Sequence, residues 1–135
     1  MALRIAHLKR RSEFLHAAAK GHKSAMPGLV LQAVSPAHQP KDVEISEDTE
    51  NRFRVGFTAS RRVGGAVARN RAKRRLRAAV ARVMPKRAKA GRDYVVIARA
   101  ATLDRNFDDL LRDLEKALAR VDAKAAGITE PPNAR

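Results

Sequence analysis

The chain has 135 residues, 44% of them hydrophobic, with no Cys and no Trp, and its 29 Lys and Arg against 14 Asp and Glu leave a formal net charge of +15. That length and apolar share argue against a fully disordered chain and favour one compact domain, while the lack of Cys excludes a disulfide framework or a thiolate metal centre. So large an excess of positive charge repels itself unless a polyanion offsets it, so the expected partner is a nucleic acid or an anionic membrane surface.

Charges interrupt the segment from Met1 to Lys23, where a secretory signal would need an apolar run, and no stretch is apolar enough to span a bilayer. The expected address is cytoplasmic. From Arg11 to Lys20 the pattern predicts a short helix, with Phe14, Leu15 and Ala18 on adjoining turns and Gly21 as its stop. Pro27 and Gly28 break the chain, and Leu29 to Val34 reads as a strand. The polar stretch from Ser35 to Asn51 holds Pro36, Pro40 and five acids, which predicts a long solvated connection with room for a short strand at 43–45. An acidic decoy for the basic region is the alternative reading of that stretch.

Arg52 to Ser60 alternates, with Phe53, Val55, Phe57 and Ala59 on one face and Arg54, Gly56, Thr58 and Ser60 on the other, the mark of a half-buried strand. Arg61 to Gly65 reads as a basic turn whose paired glycines let the backbone approach a ligand. A helix follows from about Ala66 to Met84, with a core stripe of Ala68, Ala72, Leu76, Ala79, Val80 and Val83, and Pro85 is expected to end it. Asp93 to Ala98 reads as an interior strand and Asn106 to Val121 as an amphipathic helix. The expected organisation is a single domain over 1–123 and a disordered tail over 124–135.

The distribution of charge is the most informative feature. Between Glu50 and Asp93 there is no acid, although the same stretch is crowded with Arg and Lys. A merely solvated helix interleaves acids and bases four residues apart for mutual support, and that interleaving is missing here. Arg69, Lys73 and Arg77 recur at four-residue spacing, with Arg71, Arg74, Arg75 and Arg82 widening the same face opposite the apolar stripe. Arg predominates, and its planar fork suits bidentate contact with phosphate and stacking on bases. A DNA-reading helix usually comes within a helix-turn-helix or a zipper, neither of which is present, and no bulky apolar face remains for a membrane. RNA is the expected partner, with neither DNA nor membrane.

The run from Arg54 to Arg77, RVGFTASRRVGGAVARNRAKRRLR, resembles the signature of the bacterial ribonuclease P protein component, with Arg69-Asn70-Arg71 at its centre. Leu8 to Phe14 and Asp93 to Arg99 resemble flanking segments of that family in the same order, so the likeness covers about residues 3 to 120. The predicted elements give an α+β fold, a mixed sheet of roughly three to four strands packed with helices in the order α-β-β-(β)-α-β-α, and the resemblance implies a left-handed β-α-β crossover where general rules expect the right-handed form. It implies the non-catalytic protein subunit of an endoribonuclease that removes the 5′ leader of precursor tRNA, with the chemistry carried by a catalytic RNA and its Mg2+.

By the same resemblance Arg69, Asn70, Arg71, Lys73, Arg74 and Arg77 would face the catalytic RNA, while Phe14, Ser60, Arg61, Arg62 and Gly65 would line a cleft for the leader. An aromatic face flanked by cations accepts any base, which suits substrates that share shape but not leader sequence. Without the resemblance, Phe14 reads as a core residue. Family members often carry a second aromatic one turn later, where this chain has Ala18, a departure that bears on leader stacking. His7, His16, His22 and His38 show no recurring spacing, and no nucleophile-base arrangement is evident, so no catalytic residue and no protein-bound metal is expected. A ribosomal-type structural RNA binder and a DNA-binding regulator stay open as competing classes.

Overall fold

A computed structural model of the chain describes residues 2–34 and 51–125. In order these form β1 (Arg4–His7), α1 (Arg11–Lys20), β2 (His22–Met26), β3 (Leu29–Val34), β4 (Arg52–Thr58), α2 (Ala66–Arg87), β5 (Asp93–Ala98), a 3-10 turn (Ala100–Leu103) and α3 (Phe107–Ala125). The strands make one mixed sheet in the order β1-β4-β5-β3-β2. β4 runs parallel to both β1 and β5, and β3 runs antiparallel to β5 and β2. The architecture is α+β as expected, with β4, α2 and β5 as its parallel crossover unit.

Five strands replace the expected three to four. β1 and β2 are the additions, and both are edge strands with little β-branched content: β1 reads RIAH and β2 reads HKSAM. Their partners specify them more than their own residues do. β2 folds back on β3 around Pro27-Gly28, pairing Met26 with Leu29, and the break read at that dipeptide is a hairpin turn. α3 and the 3-10 turn anchor it, because the Gly28 N–H donates to Asp113 Oδ2 at 2.9 Å and its carbonyl accepts from Thr102 Oγ1 at 2.6 Å.

Pro85 lies inside the last turn of α2 instead of ending it. Lacking an N–H, it forfeits one bond near the helix end, where the loss is small. Its carbonyl still accepts the Leu3 N–H at 2.7 Å, which ties the N-terminal segment to the helix. α3 continues to Ala125, beyond both the predicted Val121 and the expected domain limit at 123. The possible strand at 43–45, the acidic stretch 35–50 and residues 126–135 lie outside the described residues.

Alternation along the strands divides the core between the two faces of the sheet. On one face Leu29, Leu31, Ala33, Phe53, Val55, Tyr94 and Val96 pack with Ala72, Leu76, Val80 and Val83 of α2 and Leu110, Leu114 and Leu118 of α3. Phe53 and Tyr94 meet edge to face at 6.0 Å, a geometry worth about 1 kcal/mol beyond their burial. The Tyr94 hydroxyl donates to Asp122 Oδ1 and accepts the Lys89 N–H, closing the seam between β5, the α2–β5 loop and α3. Burial, reinforced by the Asp122 charge, pushes the phenol well above its ordinary 10, so it remains a donor.

The other face carries a smaller cluster, Leu8, Ala17, Val34 and Val95, with Phe14 and Ile97 packed against it. α1 covers only part of this face, and Ala17 is its one buried residue. Val30, Thr58 and Ile97 on this face stay partly exposed.

Candidate nucleic-acid interface

α2 begins at a break built for close approach. Gly64 has φ +144, a backbone state that side-chain-bearing residues rarely adopt, and it turns the chain from β4 into the helix. Gly65 is the N-cap and offers no side-chain cap, and the first helical bond here is Arg69 N–H to Gly65 O at 2.9 Å. The N–H groups of the first turn therefore point outward at the positive end of the helix dipole. No acid stands in this turn. Arg69 and Arg71 add cations where a dipole prefers anions, an arrangement that a bound phosphate reverses into a favourable one.

Asn70, Arg71, Arg74 and Arg77 are exposed, and Arg69 and Lys73 are half-buried at the margin of the apolar stripe. The structure thus brings the six residues expected to meet the catalytic RNA onto one continuous surface of α2. The Arg77 guanidinium lies 5.5 Å from the centre of the Phe57 ring, a cation–π contact. Phe57, which alternation placed in the core, is partly exposed and extends this surface onto β4. Arg69 Nε is buried without a partner among the described residues.

Arg75, expected on the basic face of α2, and Arg54, from the same acid-free stretch, are both turned to partners within the fold. Arg75 turns to the opposite flank of α2 and donates to the carbonyls of Leu103 and Arg105, bracing the 3-10 turn. Arg54 is half-buried and bound to acids: its Nε and Nη2 donate to both oxygens of Asp93 at 2.7 and 2.6 Å, and its Nη1 donates to Glu13 Oε2 at 2.5 Å. The bond to Asp93, opposed by burial and aided by both carboxylates, raises the guanidinium above its ordinary value and fixes its charge. Spacing along the chain gave no sign of this, since Glu13 and Asp93 are 41 and 39 residues away.

The residues expected to line a leader cleft occupy two stations along one strand. Phe14 lies against Gly56 on the α1 face, so closely that a Cβ at Gly56 would come within 2.5 Å of Phe14 Cζ. It is half-buried, so the core reading holds only in part. Ser60, Arg61, Arg62 and Gly65 are exposed in the turn after β4, where the Ser60 carbonyl accepts the Val63 N–H at 3.0 Å. Gly56 and Ser60 are four positions apart along the end of β4 and the chain after it, about 13 Å if extended, so the two stations form a path rather than a pocket. Ala18 is exposed and adds no second ring to it.

Among the described residues no group of three or more His, Cys, Asp or Glu converges on a point where a metal ion could sit, and no helix is long and apolar enough to cross a membrane. The family model described as Ribonuclease P matches residues 3–122. The chain belongs to the ribonuclease P protein family. It is 52% identical over 123 residues to the ribonuclease P protein component of Paramagnetospirillum magneticum, covering 91% of this chain and 87% of that one. It is 40% identical over 126 residues to that of Gluconacetobacter diazotrophicus, covering 93% and 99%. The RNase P protein of Staphylococcus aureus superposes with a TM-score of 0.64 at 28% identity, covering 87% of this chain and 98% of the other. The RNase P protein from Thermotoga maritima shares the fold, with a TM-score of 0.63 at 23% identity and coverages of 85% and 96%. In this ribonuclease P protein, α2 carries no acid and presents its exposed cations on the side away from the sheet.

Proposed function

We propose that this chain is the protein subunit of the ribonuclease P ribonucleoprotein, a cytoplasmic assembly that removes the 5′ leader of precursor tRNA endonucleolytically and forms the mature tRNA 5′ end. The observation that carries this reading is the acid-free outer face of α2 with Arg69-Asn70-Arg71 at its start, on a chain of this family. Arg69, Asn70, Arg71, Lys73, Arg74 and Arg77 bind the catalytic RNA, chiefly through phosphates, so affinity falls steeply with salt. Phe14 offers its ring to an unpaired leader base, while Ser60, Arg61, Arg62 and the Gly65 N–H hold the neighbouring phosphates. The protein supplies no reacting group. Mg2+, held mainly by the RNA, provides charge stabilisation and an activated water there, and this chain contributes by binding and orienting both RNAs.

Cleavage of a precursor tRNA by the cognate catalytic RNA at low Mg2+, with and without the protein, tests the reading. Strong protein-dependent stimulation is expected. Tight, salt-sensitive RNA binding without stimulation would replace it with a structural RNA-binding role.

A further inference from the structure

α1 carries the one aromatic residue of the leader path, yet little apolar burial holds it down. It is 10 residues long and buries only Ala17, so hydrophobic docking alone leaves the helix free to shift on the sheet. A polar clamp compensates. Glu13 Oε1 accepts the backbone N–H groups of Lys9 and Arg10 at 3.1 and 2.9 Å, which fixes the start of the helix. Its other oxygen takes Arg54 Nη1, and Arg54 reaches past it to grip both oxygens of Asp93 at the start of β5.

The clamp and the ring are adjacent in both elements. Glu13 precedes Phe14 on α1, and Arg54 lies two residues before Gly56 on the same face of β4. Side chains of Glu13, Arg54 and Asp93 are 11%, 18% and 6% exposed, so the network is shielded enough to fix geometry where a surface pair would not. The contact at Gly56 leaves no room for a Cβ, so a small shift of α1 would change which part of the ring faces outward.

We infer that Glu13 and Arg54 are positioning residues for leader recognition: the bridge from Glu13 through Arg54 to Asp93 fixes the turn of α1 that holds the Phe14 ring over Gly56 as a platform for an unpaired base. This rests on the leader reading of Phe14 proposed above. Arg54 thus serves RNA recognition without touching RNA, despite standing within the basic motif.

The test uses holoenzyme reconstituted with the cognate catalytic RNA and compares affinity for a precursor tRNA with a long leader against one with a single-nucleotide leader. Glu13→Gln keeps an oxygen for the two N–H groups but loses the charge that holds Arg54. It is expected to lower the leader-dependent gain about fivefold, the scale of one ordinary net hydrogen bond. Affinity of the protein for the catalytic RNA should stay unchanged. Phe14→Ala should lower the same gain, and adding Glu13→Gln to it should cost nothing further, because the first change acts through the second. Arg54→Lys, which keeps a cation but cannot span two carboxylates, should reproduce the pattern, so the result does not hang on one variant. A loss with Phe14→Ala but none with Glu13→Gln and Arg54→Lys, or losses that add, would overturn the inference and leave the leader site standing. No loss with Phe14→Ala would overturn both.

Discussion

The outer face of α2 and the seams where the sheet meets α1 and α3 both carry several arginines, and they use them in opposite ways. On α2, Arg71 and Arg74 are exposed and make no ion pair among the described residues. At the seams, Arg54 binds Glu13 and Asp93, Arg92 binds Asp122 and Arg105 binds Asp113, with the carboxylate partners between 5% and 11% exposed. Paired arginines hold the molecule together. The unpaired ones carry the charge that a polyanion must answer, and a raw count of basic residues conflates the two.

Substitution separates them. Arg54→Ala leaves Glu13 and Asp93 facing each other without their cation, and removing one partner of a shielded network costs about 3 kcal/mol. Denaturant unfolding should show that loss as a lower midpoint with an unchanged slope. Arg69→Ala with Arg71→Ala belongs to the other class: holoenzyme assembly at near-physiological salt should weaken roughly 10- to 100-fold through lost phosphate contacts, while circular dichroism reports an intact fold. Unchanged assembly would break the comparison.

A smaller effect sharpens the seam side. Tyr94→Phe removes one hydroxyl that serves both Asp122 and the Lys89 N–H, and should cost about 1 to 2 kcal/mol in the same unfolding assay with RNA affinity retained. The smallest is a pH effect. Burial would raise the Glu13 carboxyl, but the Arg10 and Lys9 N–H groups and the Arg54 charge outweigh it and hold it below its ordinary 4.5. A carboxyl depressed in the folded state adds stability above its unfolded pKa and loses it as pH falls through the folded one. The protection factors of the α1 amides, taken relative to intrinsic exchange at each pH, should therefore fall below pH 4.5 in the parent chain, and Glu13→Gln should flatten that dependence.

The sequence made part of this comparison legible. Alternation along Arg52 to Ser60 put Phe53 and Val55 on the face that packs against α2, and Gly56 on the face that meets α1. The three-and-four spacing of Ala72, Leu76, Val80 and Val83 gave the buried side of α2, and hence its outer side. Arg54 and Arg75 were out of reach because their partners lie far along the chain, and local spacing cannot distinguish a paired guanidinium from an open one. β1 and β2 were missed for a related reason: short edge strands take their conformation from β4 and β3 more than from their own propensity. Pro85 misled because a proline in a final turn forfeits so little.

The most direct test is the salt dependence of catalytic-RNA binding by the parent chain, by Arg71→Ala with Arg74→Ala, and by Arg54→Lys. Each phosphate contact adds about 0.7 to 0.9 to the slope of log affinity against log salt. The account predicts that the α2 double substitution lowers the slope by about 1.5 and that Arg54→Lys leaves it unchanged. An unchanged slope for the double substitution, or a reduced one for Arg54→Lys, would contradict the division between arginines that bind RNA and arginines that build the fold.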